Sequence, residues 1–349
     1  MSAALEIVAP GLMTSVQDLG RYGHQALGMP VAGAMDPVAL RLANALVGNA
    51  ENAAALEIGY LGPTVTVAAD SVRVAFAGAA KLTLQLAGGG EPRLLKPFRS
   101  ALLKRGDRLA IGAVEEGSVG YLAVAGGFAI QPFLGSLSTY MRAGLGGFEG
   151  RALKAGDRLP LALDAAPQGE EQELAETFDY GTGAIRVVLG PQEDRFTSKG
   201  IETFLSETYT VTKEADRMGL RLEGAVIEHT KGADIASEGL VTGSIQVPGN
   251  GKPIILMADR QTTGGYTKIA TVISADLPRV GRLKPGDSLT FAAVSVEEAE
   301  GLRRAQEAAL RRLIEGIRPA QPDVTLDLAA LYNENLISGM VDARTGVGR

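Results

Sequence analysis

Residues Thr64–Gly90 read TVTVAADSVRVAFAGAAKLTLQLAGGG. Three runs in this stretch alternate: Thr64–Val67, Val72–Phe76 and Lys81–Leu86. Alternation at period two places every second side chain on one face, which is the pattern of a half-buried strand. Ala77-Gly78 and Gly88-Gly89-Gly90 punctuate the runs and supply the backbone freedom that tight turns need. Gly120–Ala125 (GYLAVA), Ile185–Leu189, Tyr209–Val211, Ile254–Met257 and Ala270–Ile273 read likewise. The expected fold is mainly β (β-rich α+β), with short strands joined by tight turns. Glycine content agrees, at 45 of 349 residues against an average near ~7%.

Helices are few. Asp36-Pro37 opens the clearest one, with Asp36 as N-cap and Pro37 at the first helical position, where its missing N–H costs nothing. Val38–Val47 continues it, and Gly48 suits the left-handed position at its end. Ser295-Val296-Glu297-Glu298 is a capping box that starts a second helix, with Arg303, Arg304, Arg311 and Arg312 toward its C-terminal end. A short third helix is read over Leu326–Asn333, and the tail beyond Gly339 carries no readable pattern.

A hexapeptide recurs: Lys104–Leu109 (KRGDRL), Lys154–Leu159 (KAGDRL) and Lys284–Leu289 (KPGDSL). Two explanations stand side by side. Gly-Asp turns converge between strands, or two related β-domains each close with the same hairpin. Asp164–Gly183 carries Pro167 and then the acidic stretch Gly169–Glu173, with little to bury. The expected organisation is an N-terminal β-barrel-like domain over 1–164, a linker over 165–183, a second β-barrel domain over 184–294 and a helical extension over 295–349.

Composition excludes several functions. Apolar residues are 46% of the chain and charged residues 21%, so it builds a core and is not a disordered polymer. There is no cysteine, which removes disulfides, thiolate metal sites, thiol nucleophiles and iron–sulfur ligation. Two histidines, His24 and His229, stand far apart in sequence and make no His-rich metal site. A net charge of −6 without a basic block argues against nucleic acid as a partner. No apolar run reaches the ~18 residues of a membrane span. Met1–Gly11 lacks the basic start and apolar core of a signal peptide, so the cytoplasm is the expected compartment.

Familiar site motifs are missing. Gly249-Asn250-Gly251-Lys252 resembles a phosphate loop superficially, but Pro253 replaces the Ser/Thr and the glycine spacing is wrong. Gly144–Gly150 misses the dinucleotide fingerprint by one residue. No Gly-x-Ser-x-Gly elbow occurs.

Three polar, glycine-dense segments remain. Pro10–Asp36 mixes Thr14, Ser15, Gln17, Asp18, Arg21 and His24 in one long irregular stretch. Asp18 and Arg21 are either site residues or a structural ion pair. Asp259–Lys268 (DRQTTGGYTK) directly follows a buried strand. Its polar side chains and opened backbone suit a carboxylate, amide or phosphate. Gly135–Gly150, with Ser136, Ser138, Thr139 and Arg142, is either an anion loop or an ordinary long β-loop. His229 reads as a surface-loop histidine, and no metal ligand set is assigned.

Pro10–Asn49 (PGLMTSVQDLGRYGHQALGMPVAGAMDPVALRLANALVGN) and Gly243–Val272 (GSIQVPGNGKPIILMADRQTTGGYTKIATV) resemble two long signatures of one family, the C component of 5-oxoprolinase, also called allophanate hydrolase subunit 2. Asp216–Gly224 (DRMGLRLEG) matches a third, with Leu220 where an aromatic is frequent. The resemblance reaches to about Ala293. It implies two connected cyclophilin-like β-barrels. It implies a chain that is inactive alone and acts tightly with the B component of 5-oxoprolinase, and with the A component, to open the lactam of 5-oxo-L-proline to L-glutamate with ATP hydrolysis. ATP with Mg is then expected at an interface with one of these partners. Two other uses of the family stay open. One is the carboxyltransferase part of a urea-carboxylase-like enzyme, with biotin on another chain. The other is a regulatory partner of a kinase inhibitor that resembles the B component.

The substrates share a small planar amide, which needs paired donors and acceptors in a mostly dry cleft. On that basis Gln261, Tyr266 and Lys268 are the catalytic candidates. Arg260, Thr262, Thr263, Gly264 and Gly265 are substrate-binding candidates, with Gln17, Asp18 and Arg21 from the first signature. Gln261, Thr262 and Thr263 offer donors and acceptors, and the two glycines let the main chain approach. Tyr266 packs on a flat ligand, and Lys268 or Arg260 neutralises an anion.

Overall fold

In the computed structural model, which describes residues 3–321, the alternating runs are strands Thr64–Val67, Ser71–Ala77 and Ala80–Gln85. Val65, Val67, Val72, Val74, Phe76, Leu82 and Leu84 are all buried. Strands from residues 4–160 form two antiparallel sheets. The six-stranded sheet runs Arg158–Pro160, Ala4–Ala9, Thr64–Val67, Arg108–Val114, Ala80–Gln85, Arg93–Leu95. The five-stranded sheet runs Met13–Gln17, Ala55–Gly59, Val119–Val124, Ser71–Ala77, Ser100–Lys104. Their facing side chains, Leu5, Ile7, Leu56, Ile58, Phe76 and Leu122 among them, share one core.

The second face of the five-stranded sheet is buried too. Ala75, Ala77, Tyr121 and Ala123 join a second core with helix α1 (Pro37–Leu46) and the C-terminal half. This is why Val119–Val124 is buried at every position and reads as a continuous apolar run, the mark of a strand covered on both faces.

The C-terminal half is built on an eight-stranded sheet. Its order is Ser288–Leu289, Tyr209–Val211, Gly219–Glu223, Ile254–Leu256, Ser244–Gln246, Lys268–Val272, Ile185–Leu189, Phe291–Ala293. The two end strands are separated in sequence by Thr290 alone, so the sheet's edges are held together and the barrel is nearly closed.

Asp36 caps α1 as expected, its carboxylate accepting from the N–H of Val38 at 3.0 Å and Ala39 at 3.1 Å. Helices α2 (Ser198–Ser206) and α3 (Leu277–Gly281) have no counterpart in the sequence reading. Both are short, and α2 buries only Gly200 and Phe204, too few positions to show a helical period. The capping box at Ser295 forms in full and starts α4 (Val296–Glu315). Helix α4 rests on α1 through Arg41, which grips Glu307 with two hydrogen bonds of 2.8 and 2.7 Å. The helix read over Leu326–Asn333 lies outside the described residues.

The recurring hexapeptide is one turn used three times. Gly106, Gly156 and Gly286 have φ of +84°, +88° and +94°. Asp107, Asp157 and Asp287 accept from the N–H three residues back at 2.8, 2.7 and 3.0 Å. Each turn exchanges backbone hydrogen bonds with a neighbouring strand residue, Val67, Ile7 and Val211 respectively. Two copies lie in the N-terminal sheets and one in the barrel.

The acidic stretch around Gly169–Glu173 is pinned down rather than left solvated. Arg73 donates to the carbonyls of Pro167 and Gly169, and Glu171 accepts from Ser100 Oγ and Leu102 N. Gln172–Glu173 pairs with Arg318–Pro319.

Candidate functional site

A cavity of about 550 Å³ opens against strands Gly219–Glu223, Ser244–Gln246 and Ile254–Leu256 of the barrel. Gln246, Gln261 and Tyr266 line it, and Arg142 reaches it from the N-terminal half. The ribbon that carries Tyr266 is Thr263–Tyr266, paired with Asp234–Gly239 through a register shift between Asp234 and Glu238.

Gly264 sits at a close approach of side-chain ends. A Cβ on it would stand 2.8 Å from Leu240 Cδ1, 2.9 Å from Gln246 Nε2 and 3.5 Å from Gln261 Nε2. The glycine therefore marks where two carboxamides converge. Gln246 is 2% exposed, and its Nε2 is buried without a hydrogen-bond partner. A buried donor in that state carries its full desolvation cost until an acceptor arrives.

Of the residues singled out from sequence, Gln261 and Tyr266 line the cavity, while Thr262, Thr263, Gly264 and Gly265 form the adjoining turn and ribbon. The Thr262 carbonyl accepts from Leu240 N at 2.9 Å. Lys268, the third catalytic candidate, is placed apart from Gln261 and Tyr266. It does not line the cavity, it is buried, and its ammonium is paired with Glu238. The bond from Lys268, helped by one from Gln192, holds the Glu238 carboxyl below its ordinary range. Arg260 also lies off the cavity lining. It is buried, donates to the Leu240 carbonyl at 3.2 Å, and leaves Nε and Nη1 unpartnered. Burial lowers its pKa.

Gln17, Asp18 and Arg21 are placed elsewhere, none of them on the lining of this cavity. The Asp18 carboxylate accepts from Gly20 N at 2.7 Å, Ser136 Oγ at 2.7 Å, Leu137 N at 2.6 Å and Ser138 Oγ at 2.5 Å. Four donors leave it little capacity for a ligand. Arg21 donates to the Ser138 carbonyl rather than to Asp18, and Gln17 Nε2 donates to the Thr139 carbonyl at 3.1 Å. Together they fasten residues 17–21 to 136–139. His229 is tucked in rather than a surface-loop residue. Its Nε2 stands 3.1 Å from the Val247 carbonyl and 3.0 Å from Thr267 Oγ1, its ring packs on Phe196, and burial lowers its pKa.

Beside the cavity runs a buried ionic chain that the sequence did not disclose. Arg217 is flanked by Asp216 and Met218, both in the cavity wall. Its guanidinium grips Asp259 through two bonds of 3.0 Å, pairs with Glu57, and donates to the Gly33 carbonyl at 2.6 Å. Tyr121 Oη donates to Glu57 at 2.5 Å and accepts from Asp36 N at 2.9 Å. Burial alone would lower the Arg217 pKa, but Glu57 and Asp259 reverse this and raise it. Burial raises the Asp259 pKa, with Arg217 opposing. Strand Ala55–Gly59 of the N-terminal half is thereby tied to the barrel at the edge of the site. Gln246 and Arg217 sit inside the quoted signatures, yet nothing in their spacing marks one as an unpartnered donor and the other as a clamp.

Among the described residues no group of three or more His, Asp or Glu is placed to hold a metal ion. No helix among them is long and apolar enough to cross a membrane. Lys252, in the stretch that superficially resembles a phosphate loop, is committed to Glu223 and the Gly224 carbonyl.

A nearly closed β-barrel with two carboxamides and a phenol on one polar cavity is a β-rich module whose cavity has the chemistry to hydrogen-bond a small polar molecule. Residues 27–293 match the model described as carboxyltransferase domain, subdomain A and B, and the chain belongs to that family. It is 38% identical to the C subunit of 5-oxoprolinase from Escherichia coli K12 over 314 residues, 88% of this chain and 97% of that one. It is 34% identical to the urea amidolyase of Saccharomyces cerevisiae over 333 residues, 89% of this chain but 18% of that one. The crystal structure of the K. lactis urea amidolyase superposes with a TM-score of 0.80 at 30% identity, covering 91% of this chain and 21% of that one. The chain thus corresponds to nearly the full length of the bacterial protein and to about a fifth of the yeast enzymes.

Proposed function

We propose that this chain is the C subunit of an ATP-dependent 5-oxoprolinase. Near end-to-end likeness to the E. coli protein carries the reading, and the polar cavity suits a small planar amide. Gln261 donates to or accepts from the amide edge, and Tyr266 packs on its plane. The chain's task is orientation and electrostatic positioning of an amide whose opening ATP drives. ATP with Mg binds together with the partner components, a tightly held B and a separate A, in the cytoplasm. The chain has no turnover alone.

A second reading is supported by the likeness to the urea amidolyases. In it the same cavity is a carboxyltransferase site served by biotin on another chain.

The test is ATP turnover with 5-oxo-L-proline by the chain alone, with the B component, and with both the A and B components. Glutamate and ADP formed only in the full mixture support the proposal. No turnover from associated, folded partners refutes it and favours carboxyl transfer.

A further inference from the structure

The cavity wall carries three cations, and they are not alike. Arg221 is paired with Glu214 at 3.4 Å and Lys252 with Glu223 at 2.6 Å. Arg142 has no carboxylate partner among the described residues, and its guanidinium meets only the sulfur of Met218. A thioether is a weak acceptor and leaves the charge unmatched. Asp216, the remaining acid of the wall, is turned to its own backbone and accepts from Met218 N at 2.8 Å and Gly219 N at 3.2 Å.

Arg142 lies on the one-turn 3₁₀ segment Met141–Ala143 of the N-terminal half, whereas the carboxamides belong to the barrel. The cavity is therefore composed from both halves. One contributor is the cation of Arg142, and another is Gln246, whose buried Nε2 has no hydrogen-bond partner. A cation and a neutral donor together suit a ligand that bears an anionic group and a neutral acceptor, as a small amide with a carboxylate does.

We propose that Arg142 and Gln246 are the specificity residues of this site. Gln246 Nε2 donates to the amide oxygen and Arg142 takes the carboxylate, so the cavity selects an acidic lactam over a neutral lactam or urea. The inference rests on the reading of the chain as a 5-oxoprolinase component and names how that site chooses its substrate.

The test pairs a group on the ligand with a residue on the protein. Binding of 5-oxo-L-proline, 2-pyrrolidinone (the same lactam without the carboxylate) and urea is titrated calorimetrically. The full-length chain is used alone and in its complex with the partner components. Arg142 is exposed, so solvent screens its charge-assisted hydrogen bond, and the preference for 5-oxoproline over 2-pyrrolidinone should be about 3–10-fold. Arg142→Gln is expected to remove that preference while changing 2-pyrrolidinone binding by less than about 3-fold. Gln246→Leu is expected to weaken both lactams alike, by roughly 5–10-fold. Gln246→Glu, which keeps the shape and loses the donors, is expected to do the same.

Circular dichroism melts of each variant show whether the fold is kept, and Arg142 is exposed enough for its replacement to leave the fold intact. The proposal is overturned if Arg142→Gln keeps the preference, if both Gln246 variants bind normally, or if the wild-type chain binds neither lactam in either form. Turnover of the full wild-type mixture separates the two ideas. Turnover with unaffected cavity variants sinks the specificity residues and spares the function. Urea binding without 5-oxoproline turnover sinks the function itself.

Discussion

Replacing Arg217 by methionine removes the guanidinium shared by Glu57 and Asp259, two carboxylates that are each 4% exposed. Much of the side chain's length is kept, but the bonds to Asp259, Glu57 and the Gly33 carbonyl are lost and two negative charges remain buried together. Removing one partner of a buried ion pair costs about 3–5 kcal/mol. With an unfolding entropy of about 2.1 cal/mol/K per residue, a chain of this size loses roughly 1.4 °C per kcal/mol, so the melting temperature should fall by about 4–7 °C.

The pH dependence has a definite sign. Burial already raises the Asp259 pKa in the folded state, and Arg217 opposes that rise. Without Arg217 it rises further. A carboxyl whose folded pKa lies above its unfolded value costs stability above that pKa, and the cost is relieved as pH falls. The deficit of Arg217→Met should therefore be largest near neutral pH and shrink as pH falls toward the ordinary carboxylate range. The chain has no tryptophan, so melts are best followed by far-ultraviolet circular dichroism. The triple variant Glu57→Gln, Arg217→Met, Asp259→Asn should recover part of the loss, because no charge is then stranded. A fall of less than about 3 °C near neutral pH, or a deficit that grows on acidification, would refute the reasoning.

Three further outcomes are expected. Gly264→Ala places a methyl group 2.9 Å from Gln246 Nε2; it should raise the KM for the amide substrate about 5–10-fold with little change in melting temperature, since the displaced atoms end a flexible side chain. Asp18→Asn strands a serine or backbone donor and should cost about 1.5–3 kcal/mol by urea denaturation, while leaving ligand affinity unchanged; a loss of affinity with unchanged stability would restore Asp18 to the site. Glu307→Gln breaks the grip of Arg41 and should cost about 1–2 kcal/mol at neutral pH. The bond from Arg41 holds the Glu307 pKa down at about 2, so this contribution is full above the unfolded carboxylate pKa and fades as pH falls toward about 2. Melts of both proteins at about pH 7 and about pH 3 should show the gap narrowing, and a constant gap would count against the pairing.

Much of the architecture is legible in local sequence because local physics sets it. Thr64–Val67, Val72–Phe76 and Lys81–Leu86 alternate because one face of each strand meets a core. Asp36-Pro37 and Ser295–Glu298 announce helix starts because capping uses residues within three positions. The recurring Lys-x-Gly-Asp encodes its turn within four residues: a glycine at positive φ and an aspartate bonded to the N–H three back. Helices α2 and α3 escape because a turn or two burying few side chains leaves no period to read.

The site divides in the same way. Gln261, Tyr266 and the glycines between them stand out by polar density after a buried strand, and the structure sets the first two on the cavity. Lys268 and Asp18 look equally suitable as residue types. Their partners, Glu238 thirty residues away and Ser136–Ser138 more than a hundred away, neutralise or occupy them. Arg142 and Gln246 reverse the case, since each combines a place on the cavity wall with a partner that is missing. Sequence by itself determined the strands, the caps, the turns and the polar segments, since each depends on neighbours a few residues apart. Which polar groups are satisfied and which stand open was decided only by the tertiary structure, because a buried donor or charge is matched or stranded by atoms that the fold brings from another part of the chain.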